Sequence, residues 1–168
     1  KNKFSNRDED SFIKIQPHRY IEKTLSLFDK KQIMITKKYL DDLTYEIIGG
    51  AIEVHKLMGR GLLESVYHQC LKEELSHRKI NFQTEMKIPV DYKGKTLDID
   101  FRCDLFIENS IVVELKAVNE MNAVYEAQLL TYMKLLKCPK GILINFNCSN
   151  IFNEGQKTFE NEYFSKLK

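Results

Sequence analysis

Two carboxylates and one lysine interrupt an apolar part of the chain, DLFIENSIVVELKA, at residues 104–117. The surrounding letters are typical of two β-strands joined by a polar bend. Asp104, Glu114 and Lys116 are therefore expected inside strands, where charged side chains are rare unless they are paired or have a function. These three residues are the first candidates for chemistry.

The length of the bend decides whether the two carboxylates meet. If residues 108–110 form a three-residue hairpin loop, Ile107 faces Ile111. The same register predicts that Asp104 lies directly opposite Glu114, with Cβ atoms roughly 4.5–5.5 Å apart. A loop one residue longer or shorter would remove this match, and an ordinary solvated sheet face would then explain the same residues.

Two carboxylates this close repel each other, and burial increases the cost. Either one of them is protonated or a cation lies between them. Lys116 projects from the same face, roughly 6–7 Å beyond Glu114, which leaves room for a divalent ion and a water. Oxygen-only ligands favour Mg²⁺ or Mn²⁺ over zinc. Such an ion polarises a phosphoryl oxygen and lowers the pKa of a bound water, so the pattern favours phosphodiester hydrolysis.

The elements that must hold these residues follow from apolar periodicity. Apolar residues at three- and four-residue steps predict a helix over 39–58, ended by Gly-Arg-Gly at 59–61. Pro89 favours an edge or irregular position for the first strand. The remaining predicted elements are a helix over 62–78, strands over 85–92, 96–107 and 111–118, a helix over 119–137, a strand over 141–146 and a short helix after Asn153.

This order of elements predicts an α/β (α+β layered) domain in which helices cover a mixed sheet. In the predicted strand 96–107, strict alternation places Cys103 and Leu105 on one face and Arg102 and Asp104 on the other. The length of 168 residues and the hydrophobic content of 43% suit one such domain.

Charge divides the chain into an arm and a domain. Residues 1–38 hold ten Lys and Arg against five Asp and Glu, a net charge of +5, whereas residues 39–168 hold sixteen against nineteen, a net charge of −3. We expect a basic N-terminal arm over 1–38 that is partly flexible or bound to a protein partner, followed by the domain over 39–168.

The apolar runs are too short to span a membrane, and no leader with a cleavage site is visible. None of the four cysteines forms a CxxC pair, so we expect reduced thiols and an intracellular, cytoplasmic protein. An organelle matrix is also compatible with the sequence, because it lacks an initiator methionine.

Two further motifs extend the pattern. GLLESVY at 61–67 places Glu64 and Tyr67 at the start of the second predicted helix. EAQLLTYM at 126–133 places Gln128 and Tyr132 four residues apart, on one face of the third predicted helix.

With these motifs the chain resembles the GxxExxY family of the PD-(D/E)XK nuclease superfamily over residues 40–150. GLLESVY fits the naming motif at every fixed position, and the run from Asp104 to Glu-Leu-Lys fits the superfamily's looser active-site pattern. QLLTY fits a Gln-xxx-Tyr helix of related exonuclease domains in recombination enzymes. Cys103 stands where the superfamily name has proline, at a position that varies. The resemblance implies a restriction-endonuclease-like core.

The resemblance also implies roles for individual residues. Asp104, Glu114 and the backbone carbonyl of Leu115 would bind Mg²⁺ or Mn²⁺, and Glu64 would complete the metal shell directly or through water. Lys116 would position or activate the attacking water. The remaining residues would line the cleft, contact the substrate or support the site, namely Gln128, Tyr132 and Tyr67.

Structural explanations exist for several of these residues. A glutamate in the first turn of a helix is favoured by the helix dipole, which alone would account for Glu64. Tyr67 would pack in the core with its hydroxyl near the surface. His55, His68 and His77 are expected to be solvated.

Two functions follow. The first is a Mg²⁺- or Mn²⁺-dependent nuclease acting on nucleic acid, DNA in preference to RNA. The second is a non-catalytic nuclease-fold subunit that binds nucleic acid or has a structural role in a larger nucleoprotein assembly. A nucleotide-binding domain is a weaker third reading, because the chain has no glycine-rich phosphate loop.

Overall fold

The computed structural model describes residues 35–168. Of the basic arm predicted over 1–38, residues 1–34 lie outside the described residues. The division of the chain into arm and domain therefore stays a prediction.

Two helices begin the described chain, α1 Lys37–Met58 and α2 Glu64–His77. The side chain of Thr36 caps α1 by accepting a hydrogen bond from the backbone N–H of Tyr39. Gly59 ends α1 with a φ of 70°, a backbone conformation that glycine adopts without steric cost. The predicted end of the first helix is thereby confirmed.

A five-stranded mixed sheet forms the centre of the domain, so the predicted mixed sheet flanked by helices is confirmed. Its strands are β1 Phe82–Lys87, β4 Arg102–Ile107, β5 Ile111–Lys116, β6 Lys140–Asn145 and β7 Gln156–Glu160, in the spatial order β1-β4-β5-β6-β7. β5 and β6 run parallel, and the other neighbours are antiparallel. Helix α3 Ala123–Leu135 connects β5 to β6.

Four elements are smaller. Strands β2 Val90–Tyr92 and β3 Lys95–Leu97 form a separate two-stranded sheet. A π-helical turn, Ile151–Gly155, precedes β7, and helix α4 Glu162–Ser165 follows it.

The sequence-based boundaries were wrong in three places. The strand predicted over 85–92 is divided, because β1 ends at Lys87 and β2 begins at Val90 in the separate sheet. The long strand predicted over 96–107 is interrupted after Leu97, because β3 pairs only with β2 and β4 begins at Arg102. Strict alternation also fails within β4, where Cys103 packs with Phe106 rather than with Leu105. A helix was predicted after Asn153, where the chain instead forms β7 before the short α4.

Two apolar layers cover the two faces of the sheet. One lies beneath α1 and α2 and includes Leu105, Val113 and Ile144. The other lies beneath α3 and includes Phe106 and Val112. Because side chains alternate along a strand, the even-numbered positions of β5 face α3. Glu114 and Lys116 share that face with Val112.

The four cysteines are free thiols, as expected. Burial raises the pKa of Cys103 and of Cys138 to about 12, so both remain protonated at neutral pH. Within residues 35–168, no helix combines the length and apolar character that crossing a bilayer requires.

Candidate active site

The hairpin between β4 and β5 has the register that the sequence predicted. Ile107 pairs with Ile111 and Leu105 with Val113 across residues 108–110. Counted from the loop, regular backbone pairing ends with Leu105 and Val113, so it stops next to Asp104 and Glu114.

At that end of the hairpin the two carboxylates replace the missing backbone pairing. The backbone N–H of Asp104 donates to Oε1 of Glu114 at 3.1 Å. The backbone N–H of Leu115 donates to Oδ2 of Asp104 at 2.8 Å. Each carboxylate therefore accepts a hydrogen bond from the opposite strand, and the two side chains converge instead of pointing to opposite sides of the sheet.

The Lys116 ammonium provides the positive charge at this point. Its Nζ donates to Oε2 of Glu114 at 3.3 Å and to the carbonyl oxygen of Leu115 at 2.8 Å. It also lies 5.5 Å from the centre of the Tyr125 ring, within the range of a cation–π interaction.

Glu114 is the most perturbed carboxyl group of the site. Its side chain is only 3% exposed. Burial, with the nearby charge of Asp104 as a second cause, raises the pKa of Glu114 to about 7. The ammonium of Lys116 and the N–H of Asp104 act in the opposite direction. A second positive charge at this position would favour the ionised form of Glu114.

Glu64 approaches the same point from the start of α2. The backbone N–H of Ala117 favours the ionised form of its carboxylate, which is also within electrostatic reach of Lys116 and Asp104. Although Glu64 as a whole is exposed, partial burial of its carboxyl group raises the pKa, with Asp104 contributing in the same direction. The structure thus brings Glu64 towards the strand residues across a separation of 40 residues or more along the chain.

The loop before Glu64 is held by Tyr67. The Tyr67 hydroxyl donates to the carbonyl of Gly59 at 2.8 Å and accepts from the N–H of Leu62 at 3.1 Å. Its ring is fully buried and stacks on Phe146 with ring centroids 4.5 Å apart. Tyr67 therefore supports the site by fixing the loop, and its burial leaves no surface for substrate.

Gly61 has a conformational role in the same loop. Its φ is 95°, and no atom lies within 4 Å of the position that a Cβ would occupy. The constraint is therefore the left-handed backbone and not the available space.

Gln128 and Tyr132 form one contact beside the carboxylates. The side-chain amide of Gln128 donates to the Tyr132 hydroxyl at 2.6 Å. Tyr132 is 2% exposed, and burial, followed by the charge of Glu114, raises its pKa to about 12. This burial favours a supporting role for Tyr132 over direct contact with substrate.

Sequence reasoning missed two polar residues of the site. A ring nitrogen of His68 lies 3.3 Å from the carbonyl oxygen of Asp104. The signal was present, since His68 follows Glu64 by four residues and so shares its helix face. Asn145 is buried and bonds through its side chain to both the N–H and the carbonyl of Val118, which fixes the chain just after Lys116.

The donor chemistry of the site fits a hard divalent cation. The carboxylates of Asp104 and Glu114 and the carbonyl of Leu115 supply oxygen ligands of the kind that Mg²⁺ and Mn²⁺ prefer. Lys116 contacts two of these three groups. Among residues 35–168, no three His, Cys, Asp or Glu side chains are grouped closely enough to hold a metal by themselves. Glu64 would therefore have to move closer or act through water.

The chain is similar to known proteins in structure and in sequence. A solved structure described as the crystal structure of SSO0001 has 21% sequence identity and a TM-score of 0.47. The match covers 74% of this chain and 61% of that one, so the chain spans less than two thirds of the length of that protein. No curated protein matches the chain. A family model of the PD-(D/E)XK nuclease superfamily matches residues 41–158, which is more than half of the chain. The chain belongs to the PD-(D/E)XK nuclease superfamily.

Proposed function

We propose that this chain is a metal-dependent nuclease of the GxxExxY family that hydrolyses phosphodiester bonds in nucleic acid, DNA in preference to RNA. The observation that carries the proposal is the convergence of Asp104 and Glu114, each bonded to the opposite strand, beside the Lys116 ammonium. Placing the half-buried Asp104 carboxylate near the buried Glu114 carboxylate is costly without additional positive charge. A divalent cation would provide that charge, and it would also attract a substrate phosphate.

The cation would be Mg²⁺ or Mn²⁺, held by Asp104, Glu114 and the carbonyl of Leu115, with Glu64 completing the shell directly or through water. When bound, such an ion supplies Lewis-acid polarisation of a phosphoryl oxygen and a water of lowered pKa.

Lys116 would have different partners in the presence of the cation. Its ammonium bonds Glu114 and the carbonyl of Leu115, which are two of the proposed ligands. It would leave these oxygens and remain against the Tyr125 ring, 5.5 Å away. There the ammonium would orient the attacking water or stabilise charge that develops on the phosphoryl oxygens.

The naming motif of the family has a physical explanation in this chain. Gly61 permits a left-handed backbone before α2, and Tyr67 ties down the ends of the loop. Together they determine where α2 begins and hence where Glu64 lies. In this proposal Glu64 acts in the site and Tyr67 is a positioning residue, whereas Gln128 and Tyr132 support the carboxylates.

A nuclease-fold subunit that binds nucleic acid without cutting it, within a larger nucleoprotein assembly, is the second candidate. The direct contact of Lys116 with the proposed ligands favours it, because the ammonium already neutralises part of their charge. The basic residues of the arm over 1–38 would then contact a protein partner or phosphates.

Cleavage and metal binding should be measured separately. The 168-residue protein is incubated with Mn²⁺ or Mg²⁺ and with single-stranded DNA, duplex DNA or RNA. We expect cleavage of DNA that EDTA abolishes. Lys116→Ala should lower the rate by about 10²- to 10³-fold because it removes stabilisation of the transition state. Lys134→Ala, a change of the same charge on the exposed surface of α3, should leave the rate unchanged.

Calorimetric titration with Mn²⁺ gives a readout that does not depend on activity. We expect heat of binding for the wild-type protein and none for Asp104→Asn. Equal cleavage by Lys116→Ala and the wild type would contradict the proposed site. Nucleic-acid binding without cleavage under either metal would favour the second candidate.

A further inference from the structure

We propose that the two-stranded sheet of β2 and β3 is a nucleic-acid-binding arm that contacts the sugar–phosphate backbone and a base of the substrate. We call residues 90–97 the hairpin arm. The inference rests on the proposed nuclease function and adds a contact outside the carboxylate site.

The tip of the hairpin arm is a tight and well-defined turn. Lys93 and Gly94 both have positive φ, 50° and 81°, which is the pattern of a two-residue type I′ hairpin turn. Such a turn matches the twist of its strands and keeps the two sides of the tip in fixed register. The tip residues Tyr-Lys-Gly-Lys at 92–95 carry two positive charges and no carboxylate.

The two faces of the hairpin arm differ in charge. Tyr92 pairs directly with Lys95, so both side chains lie on one face. Asp91 pairs with Thr96 on the other face, where the carboxylate accepts a hydrogen bond from the threonine hydroxyl. The cationic and aromatic side chains are therefore separated from the nearest acidic side chain.

The lysines of the tip are not engaged by carboxylates. No carboxylate among residues 35–168 lies within ion-pairing distance of Lys93 or Lys95, whereas Lys157 pairs with Glu126. Lys93 lies 5.5 Å from the centre of the Tyr92 ring, which is itself 61% exposed. Lysines that flank an exposed tyrosine can bind phosphates. The tyrosine ring can stack on a base.

The hairpin arm is anchored next to the proposed active site. The N–H of Ile88 donates to the carbonyl of Phe101 at 2.7 Å, which closes the base of the arm. The Phe101 ring lies 4.6 Å from the ring of Tyr132. Phe101 precedes Asp104 by three residues, so the base of the hairpin arm and the carboxylate site are neighbours in the chain.

Two matched double variants test the lysines. The first is Lys93→Asn with Lys95→Gln. The control is Lys137→Asn with Lys134→Gln, which removes the same charge at the far end of α3. Lys93 and Lys137 both have positive φ, 50° and 52°, and asparagine tolerates this conformation. The control region lies at the opposite end of the sheet, where the Cys138 thiol bonds the carbonyl of Ser110.

Binding of fluorescein-labelled DNA, single-stranded or duplex, is measured by anisotropy at several salt concentrations. Ca²⁺ is included so that a hard cation, which takes oxygen ligands, is available to the proposed metal site during the measurement. We expect the hairpin-arm variant to bind about tenfold more weakly. The slope of log affinity against log salt should fall by about 1 for each lysine. The control variant should match the wild type in affinity and slope.

The tyrosine is tested with its own control. Tyr92→Ala should weaken binding of single-stranded DNA by about fivefold or more, because a stacked base is lost. Tyr45→Ala removes a tyrosine that is 76% exposed on α1 and should have no effect. Equal affinities and salt slopes for the wild-type and lysine-substituted arms, with cleavage retained, would overturn this inference alone. Failure of the wild-type protein to bind or cut DNA would overturn the proposed function as well.

Discussion

Two buried lysines lie at opposite ends of the same pair of parallel strands, and their surroundings differ. Lys116 ends β5, and Lys140 begins β6 beside Ile111 at the other end of β5. The side chains are 12% and 4% exposed, respectively. Each contacts at least one carboxylate and lies near an aromatic ring.

The difference lies in the carboxylates. Lys140 binds Asp41 and Glu160, whose side chains are 58% and 44% exposed. These acids remain solvated, so only the ammonium bears a desolvation cost, and two partners offset it. Lys116 instead bonds Glu114, which is 3% exposed and has Asp104 beside it. Negative charge is buried at the Lys116 end and solvated at the Lys140 end.

This contrast shows how the same kind of ion pair can have two roles. At the Lys140 end the ion pairs connect α1 and β7 to β6, and no further charge is needed there. At the Lys116 end the electrostatic cost is reflected in the raised pKa of Glu114. Groups with perturbed pKa values often occur at functional sites, which agrees with the proposed role of this end.

Exchanging each lysine for methionine tests the contrast most strongly. Lys140→Met should lower the free energy of unfolding by about 2 kcal/mol, because hydrogen bonds to charged partners are lost, with cleavage per folded molecule unchanged. Lys116→Met should abolish cleavage while retaining most of the stability. Urea unfolding gives the first quantity, and a cleavage assay below the unfolding transition gives the second.

The opposite pattern would show that the comparison is wrong. If Lys140→Met lost activity without losing stability, Lys140 would belong to a functional site. A loss of stability in Lys116→Met as large as that in Lys140→Met would make Lys116 a structural tie as well.

Titration of Glu114 should make the Lys116 end sensitive to pH in metal-free protein. Its pKa is raised from 4.5 to about 7 in the folded state, so the folded protein binds more protons than the unfolded chain between these values. Stability should therefore fall as pH rises from about 4.5 to about 7. Glu114→Gln should remove this contribution. The measurement is the melting temperature against pH in EDTA.

A slope that is the same in Glu114→Gln and the wild type would assign the pH dependence to other groups. A loss of the slope in wild-type protein on addition of Mn²⁺ would support a cation bound next to Glu114.

Tyr67→Phe should have the smallest effect and sharpen the distinction between positioning and chemistry. The variant keeps the ring stacked on Phe146 but loses the bonds to Gly59 and Leu62. We expect a loss of about 1 kcal/mol in stability. The rate of cleavage should fall with little change in KM, because Glu64 is less well placed. An unchanged rate in Tyr67→Phe would show that the hydroxyl has no part in positioning Glu64.

Local signals in the sequence predicted much of the fold. The helix over 39–58 was predicted because its apolar stripe repeats every three or four residues and Gly59 follows it. The hairpin register was predicted because the loop length alone sets which residues face each other. The opposition of Asp104 and Glu114 was predicted from that register, although the regular pairing itself ends at Leu105 and Val113.

Other features depend on contacts between distant parts of the chain. β7 was missed because its residues alternate weakly, and it is a strand only by pairing with β6. The pairing of β3 with β2 interrupts a run that reads as one strand. Within β4, alternation fails at Cys103, which packs in the layer beneath α3 together with Phe106.

The sequence by itself determined the helices, the hairpin between β4 and β5, and the identity of the charged residues in it, because periodicity and turn length act over a few neighbours. Only the tertiary structure decided that Glu64 comes within electrostatic reach of Asp104, that His68 contacts the backbone carbonyl of Asp104 and that Lys116 bonds Glu114. It likewise decided that Lys140 is buried between Asp41 and Glu160. All of these contacts except the Lys116–Glu114 pair within β5 join residues from separate elements. Burial, which sets the electrostatic strength of every one of them, exists only once the elements have packed together.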